Sequence, residues 1–170
     1  MQRDEFSAYV QARWPALVRT AVLLTGDRHA AEDLVQESLI KAAQHWHRLD
    51  GAPDAYVRRI MYTRSIDAWR WRRHQPDPVE VTERHTRAVP DGTDDVDLRL
   101  RLAGALRELS PGQRAVIVAR FYEDRTEVET AALLGKSVST IKSQTRDALA
   151  RLRTVATDLA IHLGKEEVPR

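Results

Sequence analysis

The 170-residue chain has no cysteine, which removes disulfides and thiolate zinc sites together and leaves nothing that calls for an oxidising compartment. No apolar run approaches the length of a membrane span. The opening residues MQRDEFSAYV lack the basic stretch followed by an apolar run that marks a signal peptide. A cytoplasmic protein with no membrane insertion is therefore expected. Chemistry-bearing motifs are equally scarce. The six histidines show no HExxH or other ligand spacing, and His45 and His47, two apart on a helix, face different directions. There is no phosphate-cradling glycine loop and no nucleophile elbow. Neither catalysis, a metal nor another cofactor is expected.

Aromatic residues make up 6% of the chain, against 42% hydrophobic and 31% charged, a balance suited to helical cores rich in Ala, Leu and Arg. The net charge of +2 conceals a pattern. Residues 51–75 carry 6 Arg against Asp54 and Asp67, residues 76–97 carry 7 acids against 2 basic groups, and residues 98–155 carry 11 basic groups against 6 acids. Two basic blocks flanking an acidic strip suit two polyanion-binding surfaces, because phosphates attract Lys and Arg wherever they cluster.

Almost every segment has a helical period. Phe6, Val10, Trp14, Leu17, Ala21 and Leu24 recur at steps of four and three, with Pro15 expected to bend or restart the helix. Gly26 and Asp27 serve as a helix stop and the next N-cap. In the second helix Ala31, Leu34 or Val35, Ser38, Ala42 and Trp46 point inward. After a turn at 49–53, a third helix to about Arg73 buries Val57, Ile60, Met61 and Ala68. Residues 75–97 hold three prolines, a glycine and seven acids without apolar periodicity, which predicts a flexible linker. Beyond it, Leu98, Leu102, Ala105 and Leu109 form a short helix. Ser110-Pro111-Gly112-Gln113 and Thr126-Glu127-Val128-Glu129 are capping boxes, the first opening a helix that carries Val116, Ile117 and Phe121. Ser137 caps a last helix from Val138 to about Leu152. The fold class is all-α: two small helical domains, 1–74 and 98–155, joined by an acidic linker and followed by a tail at 156–170.

Three surfaces stand out. Ala131, Gly135 and Ile141 have the spacing of a helix-turn-helix: a small residue where the helices touch, a glycine where the backbone reverses, and a branched residue locking the second helix. That second helix exposes Ser139, Thr140, Lys142, Ser143 and Arg146, short donors and long cations suited to base edges and phosphates. On the second helix of the chain, Asp33, Gln36, Glu37, Ile40 and Gln44 oppose the buried side. An acidic-polar stripe with an exposed isoleucine suits a basic partner. On the third helix, Arg58, Tyr62, Ser65, Trp69 and Arg72 or Arg73 share a face. Arg interleaved with aromatics suits single-stranded nucleic acid, phosphates following the guanidinium groups and unstacked bases resting on the rings. Trp69 and Trp71 diverge by about 200°, so at most one can point fully inward.

Together, AEDLVQE (31–37), AYVRRIMYTRSIDAWRWRR (55–73), LRELSPGQRAVIVARFYED (106–124) and TAALLGKSVSTIKSQ (130–144) resemble the extracytoplasmic-function sigma factors, nearest their actinobacterial SigE-like group. The resemblance covers nearly all of residues 6–153. It implies sigma regions two and four, an RNA polymerase core as partner through its beta-prime coiled coil and beta flap, promoter DNA, and often an anti-sigma protein. It implies polymerase binding by Asp33, Gln36, Glu37 and Ile40. It implies minus-ten recognition and melting by Arg58, Arg59, Tyr62, Ser65, Asp67, Trp69, Arg72 and Arg73, and minus-thirty-five reading by Ser139, Thr140, Lys142, Ser143 and Arg146. The alternative is an autonomous helix-turn-helix regulator that binds a symmetric duplex site as a dimer, for which the Asp33/Gln36/Glu37 stripe would have no use.

Overall fold

The computed structural model describes residues 2–49, 51–73 and 104–166, and among them every regular element is helical. The linker expected at 75–97, Leu98 and Leu102 lie outside the described residues.

Helix α1 (Gln2–Thr25) runs through Pro15 without restarting. A proline there removes one backbone hydrogen bond at a cost of about 3 kcal/mol, and the packing of Leu17 and Ala21 directly after it compensates. Gly26, at φ +77°, reverses the chain, and the Asp27 carboxylate accepts from the Ala30 N–H at 2.8 Å to open α2 (Arg28–His45). Ala31, Leu34, Val35, Ser38, Leu39 and Ala42 are its buried face, with the Ser38 hydroxyl donating to the Leu34 carbonyl at 2.7 Å. Trp46 follows in a short 3₁₀ turn, half-buried, its ring 5.0 Å from Phe6 and 5.3 Å from Tyr9. Helix α3 (Pro53–Arg73) packs Val57 and Met61 against α1 and α2. Ile60 is only half-buried and Ala68 is exposed, so the inward stripe is narrower than the periodicity predicts.

The second half begins with a helical turn at 104–107 that buries Leu106 and Leu109. Ser110 and Gln113 exchange both capping-box bonds at the start of α4 (Pro111–Ile117). The chain then widens into a π-helical turn, Val118–Tyr122. This turn explains one departure from expectation. Phe121, four residues after buried Ile117, is 58% exposed, because a π turn takes more residues per revolution and rotates Phe121 away from the core. Thr126 and Glu129 form the second capping box and start α5 (Glu127–Leu134). Ser137 caps α6 (Val138–Glu166), accepting from the Thr140 N–H at 3.2 Å. The backbone of α6 stays helical well past Leu152 and through Gly164, since a single glycine inside a helix costs only about 1 kcal/mol.

The two halves pack against one another, which the division by composition does not anticipate. One core lies wholly within α1–α3. A second core joins Leu23, Leu24 and Tyr62 to Leu106, Leu109, Ala115, Ile117, Val118, Ala119, Leu133 and Ala148. A third, small cluster of Val116, Ala131 and Ile141 locks α4, α5 and α6.

Candidate nucleic-acid interface

The helix-turn-helix forms where the spacing predicts. Gly135 caps α5 in the left-handed region (φ 61°, ψ 40°), and the Gly135 and Lys136 N–H groups both reach back to the Ala131 carbonyl. Ile141 is fully buried beside Ala131 and Val116, which fixes the angle between α5 and α6 and turns the opposite side of α6 outward. On that side Lys142 and Arg146 are well exposed, their side chains 65% and 78% accessible. Lys142 Nζ lies 3.8 Å from Glu127, and Arg146 Nε lies 3.2 Å from Asp147. Such solvated pairs are weak and yield readily to a phosphate or a base edge. Ser139 is exposed, its hydroxyl 3.0 Å from that of Ser137. Thr140 and Ser143 are half-buried, and the Ser143 hydroxyl donates to the Thr140 carbonyl at 3.0 Å. Lys142 and Arg146 therefore reach farther than the three hydroxyl residues.

On α2, Asp33, Gln36, Glu37 and Gln44 are all exposed, and Ile40 stands 60% exposed among them. An apolar side chain set in a polar, acidic stripe is ready for desolvation by a partner. Asp33 lies 3.9 Å from His29 along the same helix. Glu37 pairs with Arg64 across an open groove of about 570 Å³ between α2 and α3, which Lys41, Tyr56 and Arg59 also line.

On the face of α3 expected to meet single-stranded nucleic acid, the structure differs from the sequence reading in which side chains are accessible. Arg59 and Asp67 are exposed, but Tyr62 is fully buried and Arg58 nearly so. The reason is tertiary. Helix α3 has two partners: Val57 and Met61 face α1 and α2, while Arg58, Tyr62 and Ile66 face the second half of the chain. In this conformation Tyr62 offers no plane to a base. Ser65 is half-buried and donates to the Tyr62 carbonyl at 2.8 Å. The side chains of Trp69, Arg72 and Arg73 lie outside the described residues.

Residues that no sequence pattern singled out hold this arrangement together. The Glu123 carboxylate, 7% exposed, accepts from Arg58, from Arg125 Nε at 2.9 Å and from the Thr20 hydroxyl at 3.1 Å. Arg58 also donates to Asp54 at 2.8 Å. Burial works against the charge on Arg58, yet the hydrogen bond to Asp54 and the charge of Glu123 outweigh it and raise its pKa. Burial, reinforced by the charge of Glu123, pushes the Tyr62 hydroxyl well above the ordinary phenol range, so it stays neutral. Arg114 Nη1 donates to the Leu24 carbonyl at 2.8 Å while its Nε donates to Leu106 at 2.9 Å, and Arg107 donates to the Gly26 carbonyl. These guanidinium groups satisfy carbonyls left open at the end of α1. A lone Glu in the charged run Glu123-Asp124-Arg125 has no periodicity, and a single sequence carries no signal that pairs it with Arg58.

Comparison with known proteins agrees with this architecture. Residues 9–75 match the family described as Sigma-70 region 2, and residues 105–154 match Sigma-70, region 4. The RNA polymerase sigma-E factor of Streptomyces coelicolor is 39% identical over 171 residues, covering 98% of this chain and 96% of that protein. The ECF RNA polymerase sigma factor SigL of Mycobacterium tuberculosis is 33% identical over 150 residues, covering 85% of each. Among solved structures, CnrH in complex with the cytosolic domain of CnrY superposes with a TM-score of 0.62 at 25% identity, covering 92% of this chain and 90% of that one. The sigma factor RpoE of Bartonella quintana, solved with the anti-sigma factor NepR, has the same fold, with a TM-score of 0.65 at 24% identity, covering 90% of this chain and 97% of that one. Among the described residues no helix is long and apolar enough to cross a membrane.

Proposed function

The chain belongs to the extracytoplasmic-function RNA polymerase sigma factors of the SigE type, and from that premise we propose how its surfaces divide the work of promoter recognition. As a sigma factor it directs core polymerase to promoters and starts transcription there, and the free-standing dimeric regulator is not favoured. Residues 1–74 dock on polymerase and engage the minus-ten element, residues 98–155 read the minus-thirty-five element, and residues 75–97 link them. The acids Asp33 and Glu37, with Gln36 and exposed Ile40, grip the beta-prime coiled coil: opposite charge steers the encounter and the isoleucine supplies apolar burial. Ser139, Thr140, Lys142, Ser143 and Arg146 face the upstream element. The observation that carries this assignment is the Gly135 turn, locked by Ile141, which presents Lys142 and Arg146 outward.

Arg58, Arg59, Tyr62, Ser65, Asp67, Trp69, Arg72 and Arg73 serve the minus-ten strand once α3 is uncovered. An anti-sigma protein is a further partner, a reading supported by the likeness to CnrH, which was solved with the cytosolic domain of CnrY. The beta flap is a second polymerase contact. The protein works in the cytoplasm and leaves the chemistry to polymerase.

The test is in vitro transcription and co-purification with core polymerase. Asp33→Lys with Glu37→Lys abolishes holoenzyme assembly and leaves the helical circular dichroism intact, because both side chains are exposed. Retention of polymerase at the wild-type level overturns the docking assignment.

A further inference from the structure

A polar cleft of about 490 Å³ opens between α1, α3 and the segment that follows the π turn, with Arg19, Asp54, Arg58, Tyr122, Glu123 and Arg125 on its walls. We propose that this cleft binds a nucleoside polyphosphate, Arg19 and Arg125 holding the phosphates and the Tyr122 ring lying against the base. None of these three residues belongs to the faces assigned above to DNA or to polymerase.

Charge carries the phosphate half of the site. In and beside the cleft four guanidinium groups, those of Arg13, Arg19, Arg58 and Arg125, stand against two carboxylates, Asp54 and Glu123. Glu123 accepts from Arg58, from Arg125 Nε at 2.9 Å and from the Thr20 hydroxyl at 3.1 Å. Asp54 accepts from Arg58 Nε at 2.8 Å and from the Tyr9 hydroxyl at 3.3 Å, with Arg13 Nε 3.6 Å away. Both acids are therefore saturated, and Arg19 is left over. It is half-buried on the cleft wall and has no ion-pair or hydrogen-bond partner among the described residues. Asp124, the next acid along the chain, is exposed and does not line the cleft. A half-buried guanidinium without a counter-charge favours an anion from solution, and its planar fork matches two oxygens of a phosphate. Arg125 uses only Nε on Glu123, which leaves its terminal nitrogens for a second phosphate.

The backbone supplies the other half. The π turn Val118–Tyr122 ends on Tyr122, which lines the cleft 39% exposed and makes no ring contact among the described residues. Asp124 then adopts a left-handed conformation (φ 53°) that few side chains accept, and the residues on either side of it, Glu123 and Arg125, both reach the cleft. A polyphosphate alone has no use for the ring, and a base alone has none for the surplus charge. The two side by side fit a ligand that carries both, and the volume lies within the range of small-molecule sites, about 300–1,000 Å³.

Calorimetric titration of the full-length chain with ATP, pyrophosphate and adenosine in magnesium-free buffer tests the site. ATP is expected to bind most tightly, pyrophosphate more weakly and adenosine not detectably. Arg19→Ala weakens ATP and pyrophosphate alike, about tenfold, as loss of a charge-assisted hydrogen bond does. Tyr122→Ala weakens ATP about tenfold, the scale of one lost stacking contact, and leaves pyrophosphate unchanged, while Tyr122→Phe binds as wild type. Both side chains lie outside the buried clusters, and an unchanged thermal midpoint by circular dichroism confirms that the variants fold. Arg28→Ala, which removes an exposed cation on α2, leaves every affinity unchanged. No heat of ATP binding at millimolar concentration overturns the site. An equal loss on Arg28→Ala reduces the binding to the general attraction of cations for anions and overturns it too. If Tyr122→Ala affects ATP and pyrophosphate equally, or neither, the nucleotide is wrong. Displacement of ATP by a lower concentration of single-stranded DNA makes the cleft part of a DNA path and refutes a nucleotide site.

Discussion

Ile141 is the residue on which the geometry of the DNA-reading half turns, and its contribution can be worked from its surroundings. It is fully buried against Val116 and Ala131, with Leu134 and Val138 at the edge. Truncation to Ala removes three carbon atoms, worth about 2.4 kcal/mol of apolar transfer at about 0.8 kcal/mol each. The neighbours are held by three different helices, so the site collapses only in part and a residual cavity adds about 1 kcal/mol. The expected loss for Ile141→Ala is about 3–4 kcal/mol, and for Ile141→Val about 1 kcal/mol. Urea unfolding followed by circular dichroism measures both, and the midpoint should fall without a change in slope. Minus-thirty-five binding weakens in step, although Ile141 itself faces away from DNA. If the valine variant costs as much as the alanine variant, or the alanine variant costs less than about 1 kcal/mol, the reading of this cluster as the lock of the turn is refuted.

The remaining expectations concern the outer surface, the turn and the caps. Lys142→Ala and Arg146→Ala each weaken upstream-element selectivity by about 1–3 kcal/mol per lost base contact, and equal losses on unrelated promoters in a competition assay would mean phosphate contact alone. At Gly135 a Cβ would meet nothing within 4 Å, so Gly135→Ala carries only the left-handed backbone penalty of about 1–2 kcal/mol and Gly135→Asn less. A thermal midpoint equal to wild type for the alanine variant shows that the left-handed conformation is not required. The Glu129 carboxylate accepts from the Thr126 N–H and hydroxyl at 2.7 and 2.8 Å, and these bonds hold its pKa below the usual carboxylate value. A depressed folded-state pKa stabilises above the unfolded value and fades as pH falls through the folded one. The stability gap between wild type and Glu129→Gln is therefore widest near neutrality and closes in acid. A gap that stays constant down to low pH contradicts that assignment.

Much of the molecule was readable from local chemistry. Asp27, Ser110, Thr126 and Ser137 announce helix starts because their side chains satisfy specific backbone N–H groups a few residues on. Gly26 and Gly135 announce reversals because they adopt positive φ without strain. The exposed stripe on α2 followed from the buried one, since a helix with a single apolar face leaves the other to solvent. The burial of part of the α3 face was not legible for the complementary reason. Tyr62 and Arg58 lie off the main apolar stripe, and a periodicity argument assigns to solvent whatever a first partner does not cover.

The chain's own order of residues therefore settled the helices, their caps, the turn between α5 and α6 and the cations that turn presents, all products of interactions within a few residues. What only the folded molecule decided was the meeting of Tyr62 and Arg58 with Leu106, Ile117 and Glu123, groups far apart along the chain. That meeting depends on the shapes of two completed surfaces, and no local preference along the chain encodes it.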